Sequence, residues 1–254
     1  MKLITPRNDW ETDEFGWLAD SHMASAMLMF HKRSMRDPSP YSSSRIAFLG
    51  HWPSRVHHTC VGDVSQAYPS RARPPQRTRY VRRHQVGVPM QPRTWKFSDT
   101  YKKVFNGNYP TEFFNSRKWL KDVDRLFLYH LINGDHWVAL EVDLLKKIIY
   151  VYDNIQTVVP SLMDLQEECR PFTKRIPLLL NEMLPDRKKS SQQFKISRFK
   201  SVPKNENPGD CGVYTLKYIE CKAISCGFEG LSDQCIPAMC IKLAYEIYDE
   251  ISDL

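Results

Sequence analysis

Apolar positions follow two periods along the chain, and the changes between them mark its elements. Within GWLADSHMASAMLMFHKRSM, Met23, Ala26, Met27 and Phe30 recur at helical spacing, with Asp20 or Ser21 ahead as N-cap and Pro38 beyond. Ile46 to Trp52 is a short apolar segment. Three strands follow, Arg125 to Ile132, Asp135 to Val142 and Lys147 to Asp153. Asn133-Gly134 between the first two is a hairpin turn, because both residues accept positive φ. The second turn is centred on Leu144-Leu145, which sets Val142 opposite Lys147, Leu140 opposite Ile149 and His136 opposite Asp153. Directly opposed residues share a face with Cβ atoms ~4.5–5.5 Å apart. An imidazole is thus expected beside a carboxylate at one end of a hairpin, either as an oriented base or as a surface pair.

Helical spacing returns from Val159 to Met183, with IPLLLNEML as its second apolar segment, before a polar loop from Asp186 to Ser191. Phe194 to Val202 reads as a strand, and a last helix runs from about Ile236 to Ile251. Between them lies NENPGDCGVYTLKYIECKAI, Asn205 to Ile224. Asn207-Pro208-Gly209 is a loop, Asp210 stands where an N-cap belongs, and Val213, Leu216, Ile219 and Ala223 mark a buried helix face. Cys211 then occupies the first turn, where unpaired N–H groups and the helix dipole favour a thiolate. Gly212 beside it suits close approach of another backbone. By position alone Cys211 is either a nucleophile or a small core residue.

Composition narrows these readings. No apolar run in the 254 residues is long enough to span a membrane, and MKLITPRNDWETDEF has no apolar signal core. Seven Cys at irregular spacing, without a C-x-x-C pair, indicate neither disulfide framework nor zinc finger. A reducing, intracellular compartment is expected. His57, His58 and Cys60 are close in sequence but lack a second ligand cluster, so no metal is expected, and no Gly-rich loop calls for a nucleotide cofactor. The net charge is +7, and six Arg between Arg71 and Arg83 carry most of the excess. They lie in an Arg/Pro-rich stretch at about 53–94 without apolar period, read as a disordered insertion or as an arm for nucleic acid.

His136, Asp153 and Cys211 supply a base, an orienting group and a thiol, the three parts that nucleophilic catalysis needs. Their local wording, HW (His136-Trp137), YDN (Tyr152-Asp153-Asn154) and GDCGVY (Gly209 to Tyr214), resembles the ubiquitin-like-protein-specific (SUMO) cysteine proteases, and WLAD (Trp17 to Asp20) resembles their N-terminal signature. The overall wording is most similar to plant, transposon-associated members. The resemblance implies an α+β, papain-like fold with helices packed on a central, mostly antiparallel sheet. It implies a lead-in at 1–14 and a catalytic domain at 15–254 interrupted by the insertion. The implied activity is hydrolysis of the bond after the C-terminal Gly-Gly of SUMO or a related modifier, by a monomer without cofactor, in the nucleus if the family's habit holds. His136 is the implied base, Asp153 its orienter and Cys211 the nucleophile. Trp17 and Trp137 are the implied roof of the Gly-Gly channel, and Asp20 the contact to a basic residue of the modifier. The family's oxyanion Gln, six residues before the nucleophile, is here Asn205, one methylene shorter. Gln156 receives no role.

Overall fold

The middle of the chain closes into a five-stranded sheet in a computed structural model that describes residues 16–50, 97–205 and 208–251, with residues 9 and 52. Strands β1 (Ile46–Leu49), β2 (Arg125–Ile132), β3 (His136–Asp143), β4 (Ile148–Tyr152) and β5 (Lys195–Arg198) lie side by side in that order. The two expected hairpins form its antiparallel centre, and β1 and β5 add parallel pairings at the flanks. The expected polar lead-in and the Arg/Pro-rich insertion, with its Arg71–Arg83 cluster, His57, His58 and Cys60, fall outside the described residues.

Helices cover both faces. Helix α1 (Asp20–Ser34) packs with α5 (Cys211–Ile224) and α6 (Ile236–Ile251) against Phe127, Tyr129, Trp137, Ala139 and Tyr152. Helix α2 (Asp99–Phe105), with α3 (Leu162–Glu168) and α4 (Arg170–Met183), covers Leu128, Val138, Leu140, Ile149 and Val151 on the other face. A strand sandwiched in this way has no wet face, and every residue of β3 is buried. The architecture is α+β. Helix α2 was not foreseen, because seven residues give too few turns for a period to show.

Local chemistry moves three boundaries. Helix α1 begins one residue earlier than expected: Ala19 is the N-cap, its N–H donates to His22 Nδ1 at 3.1 Å, and Asp20 is already helical. The helical run from Val159 breaks at Cys169 into α3 and α4. Pro177 inside α4 has no N–H for the Thr173 carbonyl, and Phe194 N–H donates to that carbonyl instead, at 3.0 Å. A defect in the helix thus becomes a tie to the head of β5.

The third shift is in register. Observed partners are Val142 with Ile149, Leu140 with Val151 and Ala139 with Tyr152, two residues from the expected pairing. Asp143 Oδ1 accepts from the N–H groups of Leu145 and Lys146, at 3.1 and 2.8 Å, and Lys147 takes φ 59°. That side-chain turn extends β3 to Asp143 and moves the loop along the chain. A slip of one residue would reverse every face, whereas a slip of two preserves them. His136 is therefore no longer directly opposite Asp153, yet both keep the same facing.

Candidate active site

A 3-10 turn, Pro208–Asp210, feeds directly into α5, so Cys211 is that helix's first residue. Asp210 is the N-cap of α5, as expected, but it keeps helical angles (φ −90°, ψ −6°) and its side chain makes no cap bond. The helix-start environment of Cys211 does not depend on that cap, because the dipole and the unpaired N–H groups belong to the backbone. Helix α5 is held by apolar contacts from Val213, Leu216 and Ile219 to the sheet's inner face. The space beside Gly212 is taken by a side chain rather than by another backbone. A Cβ there would lie 2.9 Å from Leu18 Cβ and 3.1 Å from Leu18 Cγ and Cδ1.

His136 Nε2 donates to Asp153 Oδ1 at 2.8 Å, which leaves Nδ1 for the Cys211 thiol, whose interaction with the ring helps to raise the imidazole. Burial excludes the surface-pair reading: His136 is 2 % exposed, Asp153 0 % and Cys211 3 %. Burial by itself depresses the imidazole, but the hydrogen bonds to Asp153 and Cys211 outweigh it and raise His136 to about 9. The ring therefore favours its protonated form over most of the physiological range, as a thiolate partner requires. Asp153 Oδ1 also accepts from Ile155 N–H at 3.0 Å, which fixes the carboxylate just beyond the end of β4.

Asn205 is buried beside this pair. Its N–H reaches the carbonyl of Asn154 at 3.4 Å, so the loop before Cys211 is held against the residue next to Asp153. Trp137, which follows His136 on β3, is buried edge-on to Tyr129 at 5.3 Å and donates from Nε1 to the Leu18 carbonyl at 2.9 Å. Trp17 is half-buried just ahead of Leu18, and Asp20 is exposed in the first turn of α1. The structure thus brings His136, Asp153, Asn205 and Cys211 to one end of the sheet, and links Trp137 to the Trp17–Asp20 segment through Leu18. Gln156 points elsewhere, donating to the Phe199 carbonyl at 3.3 Å. Sequence reasoning missed Leu18 and Arg198. Leu18 stands inside the WLAD wording, but its two contacts are a backbone carbonyl and a glycine gap, neither of which leaves a pattern. Arg198 Nη2 lies 3.7 Å from Asp153 Oδ2.

Residues 88–253 match the family described as "Ulp1 protease family, C-terminal catalytic domain". The chain belongs to the Ulp1 protease family. The matched stretch holds His136, Asp153, Asn205 and Cys211, and leaves Trp17 and Asp20 outside it. Among solved structures, the SUMO protease Ulp1 with its catalytic cysteine oxidised to a sulfonic acid is 17% identical, with a TM-score of 0.43. That alignment covers 59% of this chain and 62% of the other. The C-terminal Ulp1 domain in complex with Smt3, the yeast ortholog of SUMO, is 17% identical over 59% and 61% of the two chains, TM-score 0.42. ChlaDub1 from Chlamydia trachomatis is 10% identical over 61% and 78%, TM-score 0.35. The chain thus spans about three fifths of the Ulp1 structures it aligns with. No curated protein matches it. Among the described residues no helix is long and apolar enough to cross a membrane, and no three His, Cys, Asp or Glu side chains are grouped to hold a metal ion.

Proposed function

We propose that this member of the Ulp1 family is an active cysteine protease that hydrolyses the peptide or isopeptide bond after the C-terminal Gly-Gly of SUMO or a related ubiquitin-like modifier. The observation that carries the reading is the buried contact of Cys211 with His136, itself held by Asp153 at 2.8 Å. Three ionisable groups buried together, with the thiol at a helix start, serve no packing purpose.

In this reading Cys211 Sγ attacks the Gly carbonyl carbon as a thiolate. The developing oxyanion accepts from Cys211 N–H and from the Asn205 side chain. His136 passes its proton to the leaving amine, which is an α-amine in a precursor or a lysine ε-amine in a conjugate. The C–N bond breaks and a thioester remains. Water then attacks the thioester, His136 takes its proton, and the thiolate is released. Trp17 and Trp137 form the walls of a slot too narrow for side chains, which selects Gly by width, and Asp20 pairs with a basic residue on the modifier. A free thiol nucleophile needs a reducing compartment, so the reading carries an intracellular address with it.

The test is covalent labelling by SUMO and ubiquitin bearing an electrophile at the terminal Gly. The expected result is a single adduct with SUMO that is absent in Cys211→Ala. An adduct with ubiquitin alone replaces the modifier in this reading. No adduct with either, from a chain shown to be folded, replaces hydrolysis with binding.

A further inference from the structure

Asp153 uses only one of its two oxygens on His136 and the backbone. The other, Oδ2, is buried without a hydrogen bond and faces the guanidinium of Arg198, whose Nη2 is 3.7 Å away. Arg198 stands at the end of β5, in register with Val151 on β4, and its side chain is 11 % exposed. The guanidinium is not free to swing. Nη2 donates to the Val159 carbonyl and Nη1 to the Pro160 carbonyl, the latter at 3.3 Å, so the loop after Asp153 holds the cation against the carboxylate.

The other titratable groups around Asp153 are neutral or already assigned. Tyr218 from α5 is pushed up by burial, and Cys169 at the head of α4 is pushed up to about 12, chiefly by burial. Both stay uncharged through the range in which a cysteine protease works. His136 from β3, with Cys211 from α5 behind it, faces Oδ1. Among the described residues the charges that face Asp153 are therefore the imidazolium on one oxygen and Arg198 on the other. A buried carboxylate needs compensation to remain ionised. One that must also aim a single oxygen gains from a fixed cation on the opposite side.

We propose that Arg198 is a positioning residue of the active site: held by the Val159 and Pro160 carbonyls, it faces Oδ2 of Asp153 and keeps Oδ1 turned to His136. This deepens the cysteine-protease reading and rests on it. Arg198 does not reach the reacting atoms; its effect passes through Asp153 to the imidazole and so to the thiolate.

The experiment needs no substrate. The rate of Cys211 carboxamidomethylation by iodoacetamide is followed by peptide mass from about pH 4 to about pH 9 in the full chain, a window spanning imidazole and thiol titration. Wild type fixes the position of the acid limb against which the variants are read. Arg198→Gln, which keeps an N–H donor and loses the charge, is expected to move that acid limb up by about one pH unit or more, the usual effect of an opposite charge on a carboxylate at this distance. Arg198→Lys, which keeps the charge, should restore most of the shift. A limb in Arg198→Gln that coincides with wild type overturns the proposal, even if its overall rate falls, because loop packing alone scales the rate without moving the limb. Should Arg198→Gln not fold, Arg198→Lys decides: a limb displaced by a full unit despite the retained charge assigns Arg198 to packing. A wild-type thiol that reacts only near its ordinary value overturns the ion-pair reading of the site and the proposal together.

Discussion

At the scale of single residues, the site is defined by what burial does to charge. Asp153 and His136 are removed from water, and the bonds that His136 makes to Asp153 and Cys211 outweigh the burial that would otherwise discharge the imidazole. His136 is raised from 6.5 to about 9, so its contribution to stability is complete below about 6.5 and is lost as pH rises through about 9. Activity that depends on the imidazolium should fail over the same upper range. A rate–pH profile is expected to show an alkaline limb near 9, and Asp153→Asn should lower both that limb and kcat, the latter by about 10²–10⁴-fold. A limb unmoved in Asp153→Asn would remove the carboxylate from the mechanism. Asn205 is tested in the opposite direction. If its shorter side chain makes a poorer oxyanion donor, Asn205→Gln should increase kcat, within the ~100- to 1000-fold that one such donor supplies, and leave KM little changed. An equal or lower kcat would place the donor elsewhere. Cys211, His136, Asp153 and Asn205 could be named in advance because their local wording resembles that of the family, and the structure brings them to one end of the sheet. Arg198 was not legible, because an arginine in a short polar strand looks like any solvent-facing cation until β5 is laid beside β4.

At the scale of elements, the segment Trp17–Asp20, strand β3 and helix α5 meet at Leu18. Its carbonyl holds Trp137, and its side chain fills the gap at Gly212, next to the nucleophile. Gly212→Ala should push Leu18 away, since its Cβ and not merely a flexible end stands 2.9 Å from the new methyl. Overpacking of this kind costs about 1–3 kcal/mol. The expected readout is a Tm lowered by several degrees, together with a raised KM if Trp17 and Trp137 form the proposed Gly-Gly slot, since Trp137 is tied to the Leu18 carbonyl. Unchanged Tm and KM would show that α1 adjusts freely. The three central strands were legible to within a residue, as was α6, since apolar runs and an Asn-Gly turn are local signals, whereas β5 ends at Arg198, four residues short of the strand expected to Val202. Register was not legible. The Asp143 side chain built a turn that lengthened β3, and only the parity of the two-residue slip kept His136 and Asp153 facing alike.

At the scale of the whole molecule, the first and last described helices close the same layer. Glu250 near the end of α6 is buried and accepts from Arg33 Nε at 2.9 Å and from Arg36, while Lys32 Nζ donates to its carbonyl at 2.5 Å. This clamp fixes the C-terminal end of α1 to α6. Glu250→Ala should cost about 3 kcal/mol, at the lower end for breaking a buried pair because Arg36 is half exposed. Chemical denaturation should show it, and a loss below about 0.5 kcal/mol would reduce the cluster to a surface pair. The sequence by itself determined most of the helices and strands, the Asn133-Gly134 turn, and the residue types available for chemistry. Those properties follow from period, turn preference and side-chain identity, all of which are local. Only the tertiary structure decided that a base on β3, a carboxylate beyond β4, a thiol on α5 and a cation on β5 share one buried site. Distances between residues far apart in the chain depend on strand order and register, and those are set by the packing of the whole core.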